Sequence, residues 1–358
     1  MNRWRVLSAL KEKGKMSKKD IARICDLSIP TVDKILKFYL KKKVVLESGL
    51  DRSSGGRRPM LYEFNYRVRY VVGVDFEIPE LTLVITDLRG KVVNKHFSYL
   101  PASEDARVVM ECMAEKIGEL IARTQITLDD VIGIGFGAPA FINQDKITIS
   151  GKNLPLWKNV PVKKILQDKL NVPFVIVDND VNLMALSESH HMDYKDKVLV
   201  YLALREGTRG DIRMGGGVLV NGEVFRGAHG NAATLRHAYI DFSSGKRGEE
   251  IVEELMKIQN PSRMVSKFKD HLLVPMLNAV VLFDPDRVVI NASILGEYES
   301  LFVEECEKSL KHRLQKLFDW NFSVEMARDR DMPCAKGAAL CILQEIFSNP
   351  EVLLEKLL

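Results

Sequence analysis

Residues 174–188 read FVIVDNDVNLMALSE. Phe174–Val177 is apolar and β-branched, the composition of a buried strand. Asp178-Asn179-Asp180 then breaks the run with two carboxylates and an amide, and Val181–Glu188 resumes as a helix. A buried strand that delivers polar side chains at its C-terminal end and passes straight into a helix belongs to an α/β sheet, with the polar trio facing a cleft. Asp180 is also placed to cap the helix that follows, a role compatible with ligand contact.

The same texture recurs outward in both directions. From Tyr70 the chain reads as strand, polar break, strand, Arg-Gly turn and strand, followed by a long helix near 105–124 and by VIGIGFGAP at 131–139. Further on, KVLVYLAL (197–204), GGGVLVNGEVFRG (215–227) and DRVVINAS (286–293) repeat the theme. Two similar α/β halves around one cleft are the expected arrangement.

The N-terminal part differs in charge and in periodicity. The 358-residue chain carries a formal net charge of +4, yet residues 1–69 hold 18 Lys/Arg against 7 Asp/Glu, so this part contributes about +11 and the remainder about −7. A basic segment joined to an acidic body points to a polyanion partner for the segment alone. Trp4, Val6, Leu7 and Leu10 follow helical spacing until Gly14. Ser17 with Asp20 begins a second helix whose buried stripe is expected at Ile21, Ala22 and Ile24; Ser28 with Pro30 begins a third that buries Val32, Ile35, Leu36 and Leu40. Two helices joined by about four residues form a helix-turn-helix. VVLESG and MLYEFN flank Gly55-Gly56-Arg57-Arg58-Pro59, a strand–loop–strand wing with a basic tip. Ser28, Ile29, Thr31 and Lys34 on the recognition helix, with Arg57 and Arg58 on the wing, are the candidate contacts to a double-stranded DNA operator. A protein-binding winged helix is the alternative.

No run approaches the roughly 18 apolar residues of a membrane span, and the N-terminus lacks a secretory pattern. Cys25, Cys112, Cys306, Cys334 and Cys341 are scattered, which suggests neither a disulfide framework nor a thiolate metal site. A cytoplasmic protein without membrane association is expected.

Taken in order, VGVD…TDLRGKVV, IGIGFGAPAFI, GKNLPLWKNVPV, VDNDVNLMALSE, GGGVLVNGEVFRGAHGNAATLRH and DPDRVVI resemble the ROK family (repressors, open reading frames and sugar kinases) over essentially the whole chain. The resemblance implies an α/β fold: a winged helix-turn-helix (1–66), then two actin/hexokinase-like, ribonuclease-H-like lobes. The first would span 67–182, completed by a C-terminal helix near 336–358, and the second 183–335. It also implies that Asn153, Asn179, Asp180 and His237 contact a sugar. In a kinase of this family Asp180 would be the catalytic base that takes the proton from the sugar hydroxyl attacking Mg-ATP.

Several positions depart from the family pattern. The phosphate-cradling Asp-x-Gly-Gly-Thr loop is here Asp75-Phe76-Glu77-Ile78-Pro79-Glu80, which places acidic side chains where phosphate would lie. The second phosphate turn reads REGTRGDIRMGGG, whose Arg205, Arg209 and Arg213 suit either phosphate or a charged surface loop. Asn291-Ala292 replaces a Gly-Gly, Thr234 replaces a sugar-binding glutamate, and the zinc-binding cysteines are absent from Phe242–Glu249. No zinc and no other cofactor are expected. The combined reading is a homodimeric or larger sugar-responsive DNA-binding regulator that takes a small sugar effector; an ATP-dependent sugar or N-acetylhexosamine kinase is the alternative, and a regulator controlled by protein partners is a third.

Overall fold

A computed structural model describes residues 2–50, 58–101, 105–143, 146–190 except 151–156, 197–207, 212–235, 239–241, 246–314 and 321–357. The expected Arg57, Asn153, Arg209 and His237 contacts therefore lie outside the described residues.

The N-terminal unit comprises α1 (Asn2–Lys13), β1 (Met16–Ser17), α2 (Lys18–Cys25), α3 (Ile29–Lys41), β2 (Val45–Leu50) and β3 (Met60–Phe64), with the strands in the antiparallel order β1-β3-β2. The starts of α2 and α3 are capped: Ser17 Oγ accepts from Asp20 N at 3.2 Å, and Ser28 Oγ accepts from Thr31 N at 3.3 Å. Such caps satisfy amides that the first turn leaves unpaired. The core face of α2 is Ile21, Ala22 and Cys25. Ile24, expected in that stripe, is instead 46% exposed, because the spacing 21, 22, 25 closes one face and turns position 24 off its edge. On α3 the buried residues are Val32, Ile35, Leu36 and Tyr39, while Leu40 is only half-buried.

The first lobe is built from β4 (Tyr70–Glu77), β5 (Glu80–Asp87), β6 (Val92–Tyr99), α4 (Ala106–Ala122), β7 (Val131–Ala138), β8 (Ala140–Asn143), β9 (Lys146–Ser150), α5 (Val162–Leu170) and β10 (Phe174–Asn179). Its sheet runs β10-β7-β4-β5-β6, with β10, β7 and β4 parallel and the rest antiparallel. α6 (Asp180–His190) leads to the second lobe: β11 (Val198–Glu206), β12 (Ile212–Val220), β13 (Glu223–Val224), β14 (Tyr239–Asp241), β15 (Lys246–Arg247), α7 (Gly248–Leu255), α8 (Pro261–Phe283), β16 (Arg287–Asn291), α9 (Glu299–Leu314) and β17 (Ser323–Met326). The second sheet is ordered β13-β12-β11-β16-β17. α10 (Pro333–Ser348) and α11 (Pro350–Leu357) close the chain.

α10 lies on the first sheet almost backbone to backbone. Gly73 and Gly135 are register partners on β4 and β7; a Cβ on either would stand 1.9 Å from the carbonyl oxygen of Ala335 or Ala338, respectively. On its other side, a Cβ on Gly337 would stand 1.7 Å from the carbonyl oxygen of Leu183 in α6. Glycine is required at all three positions, since no relaxation of a side-chain tip relieves a clash with backbone. The far end of α10 reaches the winged helix: Lys11 Nζ sits 3.6 Å from the Phe347 ring centroid. Nearby, Arg69 Nε donates to Lys356 O at 3.1 Å and Leu88 N donates to Tyr66 O at 2.8 Å. Winged-helix residues Val6, Leu7 and Leu10 share one apolar cluster with Ile346, Leu353 and Leu357.

Gly135→Ala and Gly337→Ala should each lower stability to urea by more than about 3 kcal/mol, measured against Gly118→Ala as control, where a Cβ meets nothing within 4 Å.

Candidate functional site

The end of β10 sets Asp178 and Asn179 beside Gly137 and Ala138 of β7, and Asp180 follows as the first residue of α6. Each of the three has a distinct set of partners. Asp178 is buried; its Oδ1 accepts from Asn182 Nδ2 at 2.9 Å and its Oδ2 accepts from Arg226 Nε at 2.8 Å. Burial works against the Arg226 charge, but Asp178 and Cys341 together outweigh it and hold the guanidinium above its ordinary range. Asn179 is half-buried, donates Nδ2 to Ala140 O at 3.2 Å and accepts from Val181 N at 3.0 Å. Asp180 is the first residue of α6; its Oδ1 also accepts from Val181 N, at 2.9 Å. Capping is thus shared by Asn179 and Asp180. The other Asp180 oxygen is bound to Arg205 Nη2.

Arg205 is the centre of a buried cluster. Its Nη1 donates to Glu77 Oε2 at 2.9 Å, and Arg213 Nη2 stands 3.1 Å from Glu77 Oε1. Burial disfavours a charged guanidinium, yet Asp180, Glu77 and Asp75 together raise the Arg205 pKa above its ordinary value. The side chains of Arg205, Arg213 and Glu77 are only 15%, 14% and 9% exposed. The charged-surface-loop reading of Arg205 and Arg213 is therefore wrong: both point inward, because β11 and β12 extend the ladder to these positions and set them directly opposite each other.

The expected loop at 75–80 is not a loop either. β4 and β5 pair as far as Glu77↔Glu80, so only Ile78 and Pro79 turn the chain. Glu77 is buried and bound to arginines, while Glu80 stays half-buried at the start of β5. Asp75 stands two residues earlier on β4: its Oδ1 is sealed from solvent without a hydrogen-bond partner among the described residues. Burial pushes its pKa up to about 6, with Arg205 pulling the other way. Burial also raises the neighbouring Cys334 thiol well above its usual range, further helped by Asp75 and Asp180.

The other altered positions are filled by the protein itself. Asn291 Nδ2 donates to Tyr201 Oη at 3.2 Å, and Ala292 N donates to Glu299 Oε1 at 2.7 Å. Thr234 Oγ1 donates to Asn231 O at 2.7 Å. Trp157 is fully buried and packs on Phe76 at 4.8 Å between ring centroids. A crevice of about 800 Å³ opens beside the strand end, lined in part by Asn143, Ile176, Asp178, Arg226 and His229.

On the winged helix, Ser28, Ile29, Lys34 and Arg58 are exposed and Thr31 is half-buried. Ser28 Oγ lies 2.8 Å from Thr31 Oγ1, so capping and presentation to a partner use the same pair. The acidic residue of this helix, Asp33, is paired with Lys37 at 2.8 Å and with Lys18. The Lys18 hydrogen bond, then that of Lys37, lowers its pKa. This leaves Lys34 on a face whose negative charge is already compensated.

Residues 71–250 match the ROK family, and residues 2–45 match the winged helix-turn-helix DNA-binding family. The chain belongs to the ROK family. Within that family it is 25% identical to the xylose repressor of Caldicellulosiruptor bescii, over 98% of this chain and 97% of the relative. It is 27% identical to the xylose repressor of Bacillus subtilis over 83% of each chain. A solved ROK family transcriptional regulator, described as a homolog of the E. coli MLC protein, superposes with a TM-score of 0.70 at 19% identity, covering 99% of this chain and 98% of its own. The two-lobed ROK fold preceded by a winged helix is thereby established. The Glu77–Arg205–Arg213 cluster and the Asp178–Arg226 pair have no local signal in the sequence, since their partners lie 128 and 48 residues apart.

Because the folded-state pKa of Asp75 lies above its unfolded value, its contribution to stability is fully present only below the unfolded pKa and is lost as pH rises through about 6. Asp75→Asn should therefore be stabilising relative to wild type at pH 7.5, by on the order of 1–3 kcal/mol, with the difference shrinking toward pH 4.5 in urea titrations.

Proposed function

We propose that the protein is a sugar-responsive transcriptional repressor, in which the winged helix reads a double-stranded DNA operator and the ROK lobes bind a sugar effector without phosphorylating it. What carries this reading is a basic winged helix packed into the same core as two lobes whose strand-end carboxylate, Asp180, is bound to a guanidinium. A carboxylate that serves as a general base must take a proton from the attacking hydroxyl. Both Asp180 oxygens are already engaged, Oδ1 by Val181 N and Oδ2 by Arg205, and each keeps a lone pair for a hydroxyl donor. The residues at 75–80 also do not fit a triphosphate, since Glu77 fills the space between the two arginines.

In this assignment Asn179 and Asp180 contact the effector, together with Asn153 and His237. Ser28, Ile29, Thr31, Lys34, Arg57 and Arg58 face DNA. The protein acts in the cytoplasm as a homodimer, whose paired recognition helices meet the two halves of a palindromic operator. Effector binding releases DNA only by favouring one lobe arrangement over the other. Among the described residues no helix is long and apolar enough to cross a membrane. The names of the two xylose repressors place xylose at the head of the sugars to try.

Fluorescence anisotropy on duplex DNA from the region upstream of the gene tests the proposal. Lys34→Ala and Arg58→Ala should weaken binding and each reduce the slope of log K against log salt by about 1. One member of a pentose and hexose panel should weaken wild-type binding at least about tenfold with no nucleotide present. Binding that no sugar alters, or that responds only when ATP is supplied, would refute it.

A further inference from the structure

Arg205 and Arg213 face each other across an antiparallel ladder, on neighbouring strands of the second lobe. Two like charges in direct cross-strand register repel each other, and burial removes the water that would screen them. Such a pair persists only with an anion between its guanidiniums. Here the anion is the carboxylate of Glu77, one oxygen on each arginine, and it comes from β4 of the first lobe. Guanidinium pairs of this kind are general receptors for small oxyanions, because their planar donors match a carboxylate or a phosphate equally well.

We propose that Arg205 and Arg213 form an oxyanion-binding site whose resident ligand is the protein's own Glu77, so that an internal carboxylate clasps the two lobes together. The site accepts an external anion only when Glu77 is removed. In the intact protein Asp75, Glu77 and Asp180 already set three carboxyl groups against two guanidiniums, and a further anion meets no uncompensated positive charge from them. Arg205 joins the clasp to Asp180, so whatever loosens one end loosens the other. The inference concerns the clasp alone and stands whether or not the effector is a sugar.

Chemical rescue tests it. Glu77→Ala deletes a side chain that acetate reproduces from Cγ outward. In chloride buffer the variant should melt on the order of 5 °C or more below wild type. Acetate at equal ionic strength should restore much of that loss, and inorganic phosphate part of it, while leaving the wild-type melting temperature unchanged relative to chloride. Glu77→Gln keeps the volume without the charge; it should be destabilised and gain nothing from acetate, for lack of room. Glu77→Ala/Arg213→Ala should also be unresponsive. Equal melting temperatures for Glu77→Gln and wild type would overturn the proposal. So would a Glu77→Ala protein that gains no more from acetate than wild type does, or one that fails to fold in either salt.

Discussion

The guanidinium of Arg205 fixes what the cleft is able to do. It is supplied by a strand of the second lobe and takes hold of two carboxylates of the first, Glu77 and Asp180. Removing charges from water is costly, and the attraction between them offsets that cost only when the geometry is complete. Deleting one member of such a group typically costs roughly 3–5 kcal/mol, because the others are left buried without a partner. The arrangement therefore favours a specific contact between lobes more than it favours stability as such. The second tie of this kind, Asp178 to Arg226, lies one step along the same strand-to-helix junction. Both carboxylates of the Asp-Asn-Asp trio are thus bound to second-lobe arginines, with Asn179 between them.

α10 connects this region to the winged helix. It begins at Pro333 and Cys334, beside Asp75, and its last turn carries Phe347, whose ring meets Lys11. Its sixteen residues span about 24 Å at a rise of 1.5 Å per residue. Backbone contact with Gly73 and Gly135 of the first sheet, and of its own Gly337 with Leu183 of α6, leaves little room for the helix to slide independently of either. A shift of the cleft and a shift of the winged helix are therefore mechanically adjacent. Continuity of packing is the precondition for coupling; coupling itself needs two arrangements that the effector distinguishes.

Much of this was legible in the residues. Local rules gave the helix starts at Ser17 and Ser28, the wing strands and the strand-to-helix junction at 174–188, because caps and apolar runs are short-range features. The placement of Asp178 and Asn179 at the C-terminal end of β10, with Asp180 opening α6, followed from the same short-range pattern. What escaped was set by pairing over long distances. Ile24 was assigned to the core because helical spacing alone does not locate the edge of a buried face. Residues 75–80 read locally as a loop, because the extension of β4 and β5 to Glu77 and Glu80 depends on their ladder. Arg205 and Arg213 suit either phosphate or a surface loop when read locally, because their compensating carboxylate lies 128 residues from Arg205 in the chain. The Asp178–Arg226 bond likewise joins separate lobes, and no local pattern encodes it.

The central claim is that a ligand-binding cleft persists here in a form that does not seat a nucleotide for phosphoryl transfer. A crystal structure grown with the effective sugar and a non-hydrolysable magnesium–ATP analogue both present tests it most directly. The account predicts sugar density against Asn179 and Asp180, with Glu77 still seated between Arg205 and Arg213. A triphosphate lying along residues 75–80, its terminal phosphate directed at a sugar hydroxyl beside Asp180, would contradict it.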